Sequence, residues 1–278
     1  MKKTDRELTE IALRMREDVL RVTTNAGRGH VTSCFSCVEL IVALYYSGIL
    51  KYNPQDPKWE ERDYFLLSKG HADALLYAVL ADTGFLKKEE FEKYCMKDSS
   101  VGPLLKGDVP GVEIVSGSLG CGLGIAAGIA LSLKHDKKPN KVFCLLGDAE
   151  CYEGSIWEAA FLVGGSVLEN VITIVDCNKM GATHFIGKET ENEPFEDKWK
   201  SFGFLTKKIN GHDFGEVTAA YEWAAQSKRP AVILADTVKG KGVSFIENQP
   251  FMHGMAVTQG QYGEALRQIR KGLSEYVT

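Results

Sequence analysis

The sequence predicts an α/β fold, a parallel sheet with helices on both faces, organised as a single domain over residues 1–278. Three observations carry that expectation. Residues 142–146 and 171–175 are near-continuous apolar runs rich in β-branched and aromatic side chains, which suits strands covered on both faces. The stretch between them, 152–166, holds Trp157, Ala159, Ala160, Phe161 and Val163 and serves as the crossover helix of a βαβ unit. The 278 residues, 44% hydrophobic and 25% charged, suffice to bury a substantial core.

The remaining elements follow in order. Leu8, Ile11, Met15, Val19 and Val22 recur at three and four residues with charges between them, giving an amphipathic helix that ends near Gly27. Gly27, Arg28, Gly29 and His30 are too glycine-rich to stay helical, so His30 falls on a loop. Residues 38–46 are apolar almost all round and predict a buried helix starting near Ser33. A polar connection with Pro54 and Pro57 leads to a short strand at 64–67, then Ser68, Lys69, Gly70 and His71 open a strong helix over 72–80. His71 therefore lies at the carboxyl edge of the sheet. Residues 87–96 read as an exposed helix and 97–114, with Pro103 and Pro110, as irregular chain. Small residues at 120, 124, 126, 127, 128 and 130 mark a helix whose backbone can approach a ligand or partner closely. Residues 181–197 read as a polar loop, 204–209 as a strand, and Asp213 as the cap of a helix reaching Ser227, before the last buried strand at 231–235. His135 and His184 read as solvated loop residues.

Composition excludes several classes of function. A net charge of −4 with interspersed Lys and Arg gives no basic footprint for nucleic acid. No apolar stretch approaches the roughly 20 residues that span a bilayer, and the first residues lead into an amphipathic helix and not a signal core. The expectation is a cytoplasmic protein with no membrane partner. Seven scattered cysteines read as reduced thiols packed as small hydrophobes. Cys34 and Cys37 form a C-x-x-C near His30, but no second pair at metal-site spacing follows, so helix packing is the better account.

In a βαβ unit both strands point the same way, so Asp148 and Asn178, thirty positions apart, finish on one edge of the sheet. A carboxylate and an amide oxygen make a sparse hard-oxygen site, of the kind that holds Mg²⁺ when phosphate oxygens and water complete the octahedron. The inferred ligand is a diphosphate.

These residues also carry a resemblance. Gly147, Asp148, Ala149, Glu150, Cys151, Tyr152, Glu153 and Gly154, with Trp157, Glu158 and Ala159 and then Asn178, resemble the transketolase version of the thiamine diphosphate signature. Other segments agree: Gly29-His30, the phrase Leu67 to Ala72, Pro110 to Glu113 with Gly117 to Gly124, and Lys239 to Gly254 with His253. The resemblance implies a thiamine diphosphate-binding fold with Mg²⁺ (or Ca²⁺) held by Asp148, Asn178 and the Met180 carbonyl. It implies a cofactor cleft of Gly117, Leu119, Gly147, Asp148, Ala149, Glu153 and Asn178, and a substrate-side wall of His30, His71 and His253 that handles protons. The reaction implied is transfer of a two-carbon ketol unit from a ketose or ketose phosphate to an aldehyde. Full transketolases continue with a pyrimidine-binding domain bearing the glutamate that activates the cofactor. By that resemblance the chain looks like the N-terminal subunit of a split transketolase, working with a C-terminal subunit in an α2β2 assembly.

Two departures stand out. Ala149 occupies a place usually held by glycine. The family's Gly-His-Pro, whose histidine contacts the donor near its first carbon, is replaced by Val101, Gly102, Pro103, Leu104 and Leu105, with no histidine between 72 and 134. Two other readings stay open: a two-subunit thiamine diphosphate synthase moving an acetyl or glycolyl unit from a keto acid or modified ketose, and a non-catalytic cofactor-binding partner.

Overall fold

The structure, a computed structural model, describes residues 2–186 and 192–276. Five strands, β1 (Tyr64–Leu67), β2 (Val142–Gly147), β3 (Val171–Cys177), β4 (Leu205–Asn210) and β5 (Ala231–Asp236), form one sheet in the order β1-β2-β3-β5-β4. Every pairing is parallel. Successive side chains of a strand point to opposite faces, and the two cores sort accordingly. Phe65, Leu67, Phe143, Leu145, Ile172, Ile174 and Ile233 meet one set of helices, α1 (Asp5–Ala26), α3 (Val38–Tyr46), α4 (Asp73–Thr83) and α9 (Phe214–Gln226). Leu66, Val142, Cys144, Leu146, Val171, Val175, Val232 and Leu234 meet the other, α6 (Gly122–His135), α7 (Gly154–Gly165) and α8 (Phe195–Ser201). The expected α/β architecture is therefore the observed one.

Local signals explain the main boundaries. Thr4 and Glu7 form a reciprocal capping box at the start of α1, and Gly27, at φ +64°, ends it in the left-handed conformation. The buried segment after His30 is two helices, α2 (Val31–Ser36) and α3, broken at Cys37. Asp213 caps α9 by accepting the Glu216 N–H at 2.9 Å.

Four expectations need correction or completion. The exposed helix over 87–96 shrinks to one turn, α5 (Lys88–Phe91), because Phe91 and Tyr94 turn inward and Cys95 adopts φ +60° to let its N–H reach Val101. The polar loop over 181–197 gives way to α8 at Phe195, whose ring packs on Trp157 and Trp199; residues 187–191 of that loop lie outside the described residues. His135 is the exposed last residue of α6, not a loop residue, whereas His184 does sit in an exposed turn. A further helix, α10 (Gln259–Tyr276), packs on α1 through Ala265 and Ile269. Among the described residues no helix is long and apolar enough to cross a membrane.

Candidate active site

The register pairs Gly147 of β2 with Asp176 of β3, so Asp148 and Asn178 leave adjacent strands at the same edge. Both are buried. Asp148 accepts the N–H groups of Ala149 (2.8 Å) and Lys179 (2.6 Å), one on each carboxylate oxygen. The Asn178 amide is oriented by its NH₂, which donates to Ser36 Oγ (3.1 Å) and Asp176 Oδ2 (3.3 Å). Its Oδ1 accepts the Met180 N–H at 3.0 Å and keeps a second lone pair. Asp148 thus bonds, from the end of β2, the short turn that carries Asn178 and Met180.

Beneath this turn lies a buried charge network. Asp176 is fully enclosed and accepts from Ser36 Oγ (2.8 Å), Thr237 Oγ1 and the Lys69 ammonium. Burial opposes a charge on Lys69, yet Asp176 beside it holds the ammonium above its ordinary range. Lys239 feels Asp176 and Asp148 but has no carboxylate within ion-pair distance among the described residues. Its Nζ donates to the Gly181 carbonyl at 2.7 Å, and burial together with the Lys69 charge pulls it down to about 8. Asp148 is displaced the opposite way, pushed up to about 7 by burial and then by Asp176.

Three separate segments deliver imidazoles to one spot. His30 precedes α2, His71 sits in the 3-10 turn Gly70–Ala72 after β1, and His253 follows the 3-10 turn Pro250–Met252. Their ring centroids are 4.7, 5.3 and 5.4 Å apart. His30 is pulled down to about 4 by burial, His71 and Lys239, and His253 to about 3 by burial and Lys239. His71 is lowered by burial and Lys69. All three are neutral near pH 7. The Nδ1 atoms of His30 and His253 and the Ser116 hydroxyl are buried with no hydrogen-bond partner.

The glycine segment closes the cleft. The buried Glu150 carboxylate accepts from Ser68 Oγ and from the N–H groups of Gly120 (2.9 Å) and Gly147 (3.1 Å), tying three segments together. Gly120 has φ +87°, and a Cβ there would come within 2.7 Å of Glu153 Cβ; one on Gly122 would reach 2.4 Å from Ser68 Cβ. Close backbone approach thus requires glycine at these positions. Gly117 lies under the Leu104 side chain, while Leu119 and Ala149 are half-buried and Glu153 is exposed at the start of α7. Ala149 keeps negative φ and opens the 3-10 turn Ala149–Tyr152, so its methyl causes no backbone strain. The structure thus brings Asp148, Asn178 and Met180 together at one edge and His30, His71 and His253 to one spot, and packs Glu153 beside Gly120.

Four residues of this edge were not singled out by sequence reasoning: Lys69, Asp176, Glu150 and Lys239. Lys69 and Lys239 stood inside motifs as charged residues that usually face solvent. The available signal was a charge embedded between a buried strand and a glycine turn, which demands a buried partner.

Known proteins are similar to this chain in sequence and in fold. The family model described as the transketolase thiamine diphosphate binding domain matches residues 9–273. The 6-deoxy-6-sulfo-D-fructose transketolase subunit of Clostridium sp. (strain MSTE9) is 36% identical, covering 94% of this chain and 98% of its own length. An apulose-4-phosphate transketolase subunit of Phocaeicola vulgatus is 32% identical, covering 94% and 92%. Among solved structures, the transketolase of Campylobacter jejuni superposes with a TM-score of 0.90 at 31% identity, over 96% of this chain and 42% of that one. Sequence and fold agree, and the chain belongs to the transketolase family through its thiamine diphosphate-binding domain.

Proposed function

We propose that the chain is the diphosphate-binding subunit of a two-chain transketolase, transferring a two-carbon ketol unit from a ketose or ketose phosphate to an aldehyde with thiamine diphosphate and Mg²⁺. One observation supports this most: two opposite electrostatic demands at the sheet edge are only partly met by the protein, since Asp176 and Asp148 favour the Lys239 charge, and Lys69 the Asp148 charge, less than burial opposes it. Asp148 is buried with no ion-pair partner among the described residues, and so is Lys239. A divalent metal beside the first and a diphosphate beside the second would answer both. The residues present fit the group.

In this reading Asp148, the Asn178 amide oxygen and the Met180 carbonyl hold the metal. Gly117, Leu119, Gly147, Ala149 and Glu153 line or border the cofactor cleft. Thiamine diphosphate, when bound, supplies the reactive carbon and the electron sink. The protein positions the reactants and keeps water out. His30, His71 and His253, neutral at working pH, accept and return protons at the sugar hydroxyls and carbonyl. The glutamate that activates the cofactor belongs to a C-terminal partner subunit, in an α2β2 assembly in the cytoplasm. The names of the Clostridium and Phocaeicola relatives refer to sugar substrates, which supports a ketose donor for this chain.

A specific observation favours a second reading of the donor. Leu104 sits at φ +132°, unusual for a residue with a side chain, and lays its methyl groups over Gly117. An apolar wall there suits a donor lacking a hydroxyl at its first carbon, such as a 1-deoxy ketose or a keto acid used by a two-subunit synthase.

Calorimetry with thiamine diphosphate and Mg²⁺, on the chain alone and co-purified with its C-terminal subunit, tests the main reading. Metal-dependent binding by the pair, with ketol transfer only when both chains are present, is expected. Turnover by the chain alone would remove the partner requirement, and absence of binding by the pair would remove the cofactor assignment.

A further inference from the structure

A second buried charge cluster lies outside the cleft, under β4 and β5. Arg16 of α1 donates to Glu39 of α3 through both terminal nitrogens (2.7 and 3.0 Å). His212, between β4 and α9, places Nδ1 2.9 Å from the same carboxylate. Its Nε2 accepts the Val238 N–H at 2.8 Å, so the ring proton sits on Nδ1 and points at Glu39. Arg16 and Glu39 are both buried, and the cluster forms part of the wall of a cavity of about 900 Å³. Its polar atoms are all partnered.

What the cluster holds is more informative than that it is buried. Besides the Val238 N–H taken by His212, Arg16 Nε donates to the Lys241 carbonyl at 3.1 Å. The segment between these two grips is the turn bearing Lys239. Gly240, at φ +84°, completes the turn and donates its N–H to the Thr32 carbonyl at 3.0 Å. A Cβ on Gly240 would come within 2.6 Å of the Ile246 carbonyl oxygen, so the turn is also closed from above. On its inner side Lys239 Nζ bonds the Gly181 carbonyl, one residue after Met180. An unbroken chain of contacts therefore runs from Arg16, Glu39 and His212 through 238–241 to the turn carrying Asn178 and Met180.

We propose that Arg16, Glu39 and His212 are positioning residues for the cofactor edge, fixing the 238–241 turn so that Lys239 holds the 178–181 turn in register. The step from that turn to cofactor affinity rests on the function proposed above; the mechanical coupling does not. A merely structural ion cluster would stabilise the fold without reaching the 178–181 turn. A positioning cluster would transmit its loss there through one lysine.

Asparagine and glutamine at position 212 separate these cases. The Asn amide can keep the bond to Glu39 but cannot reach Val238, whereas Gln can reach Val238. Hydrogen exchange on the full chain without cofactor is the first readout. In His212→Asn, the amides of Val238 and of Lys179, Met180 and Gly181 should exchange at least about tenfold faster, with β2 and β3 unchanged and His212→Gln restoring protection. Lys239→Met should release the 179–181 amides alike, and the double variant should add nothing further. If Val238 loosens while 179–181 stay protected, or if the two substitutions add independently, the proposal is overturned. Titration of the same proteins, paired with the C-terminal subunit, with Mg²⁺ and thiamine diphosphate is the second readout. A Kd raised about tenfold in His212→Asn with an unchanged melting temperature supports positioning, and an unchanged Kd beside intact wild-type binding overturns it. Should the wild-type pair fail to bind while the exchange coupling persists, the proposed function falls and the coupling stands.

Discussion

The two halves of the sheet's carboxyl edge bury charge in opposite ways. Under β4 and β5, Arg16, Glu39 and His212 satisfy one another and the backbone, and Glu39 is held down to about 2 by Arg16 and His212 against the cost of burial. Above β1, β2 and β3, Asp148 and Lys239 lack ion-pair partners among the described residues, and His30, His253 and Ser116 keep buried atoms unbonded. Leaving a buried polar group unpaired costs about 1–3 kcal/mol. Of these two clusters, the one that bears such a cost at several side chains together is marked as the place where something else binds.

Breaking each half should give opposite phenotypes. Asp148→Ala and Asn178→Ala should abolish Mg²⁺-dependent thiamine diphosphate binding by the assembled enzyme, which is the largest effect expected. The melting temperature of the cofactor-free chain should fall only slightly in Asp148→Ala, since the loss of an acceptor for the Ala149 and Lys179 N–H groups is offset by removal of a buried carboxylate that has no cation within ion-pair distance among the described residues. Cofactor affinity unchanged in both variants would defeat the metal assignment. Glu39→Ala should act the other way, costing about 3–5 kcal/mol in urea unfolding because Arg16 is left buried and uncompensated. A loss below about 1 kcal/mol would show that water replaces the carboxylate and that the two halves differ less than the geometry implies.

The halves also differed in how far the sequence revealed them. Asp148, Asn178 and the three histidines were legible because strand ends and local motifs place them, and parallel topology does the rest. Their neighbours Lys69, Asp176 and Lys239 meet only through contacts about 60 to 110 positions apart along the chain, which no local period marks. The Arg16, Glu39 and His212 cluster was less legible still, since His212 and Glu39 are 173 positions apart. Its one local trace is Glu39 itself, an acid inside an otherwise apolar helix that had to find a cation. The inward turn of Phe91 and Tyr94 was hidden for a related reason: charges around them imitate an exposed helix, whereas their burial and the Tyr94 bond to Asp73 show where the segment packs.

The donor panel sharpens the reading of the cleft half. Tyr77 anchors Leu104, donating its hydroxyl to the Leu104 carbonyl (3.1 Å) and accepting the Lys106 N–H (3.0 Å), so the apolar wall is held in place. A donor hydroxyl buried against it without a partner loses about 1–3 kcal/mol, or tenfold to a hundredfold in turnover. Assayed at equal concentrations, xylulose 5-phosphate should trail a 1-deoxy ketose or a keto acid in kcat/KM. Ordinary ketose phosphates in the lead would mean that His30, His71 or the partner subunit supplies the contact, and that the chain is half of a conventional transketolase.

The smallest effect expected is a difference in pH dependence between two fully buried carboxyls. Asp73, at the start of α4 beside the histidine turn, is pushed up to about 7 by burial, against the lowering effect of the Ala74 N–H and the Tyr94 hydroxyl on one oxygen and of the Leu104 backbone; Oδ2 has no partner at hydrogen-bond distance. Its ordinary value is 3.8, so between 3.8 and about 7 the folded chain holds a proton that the unfolded chain has released. Folding stability from this group therefore falls as pH rises through that window. Glu39 has the reverse sign: its value of about 2 lies below the ordinary 4.5, so its contribution is complete above 4.5 and is lost only as pH falls toward 2. Urea unfolding from about pH 5 to pH 7.5 should accordingly show Asp73→Asn gaining on the wild type as pH rises, while Glu39→Gln keeps a constant deficit. Parallel curves for Asp73→Asn and the wild type would mean that the Asp73 carboxyl titrates alike in the folded and unfolded chains. The unbonded oxygen would then be solvated in solution, and the contrast between the two halves would rest on Asp148, Lys239 and the histidines alone.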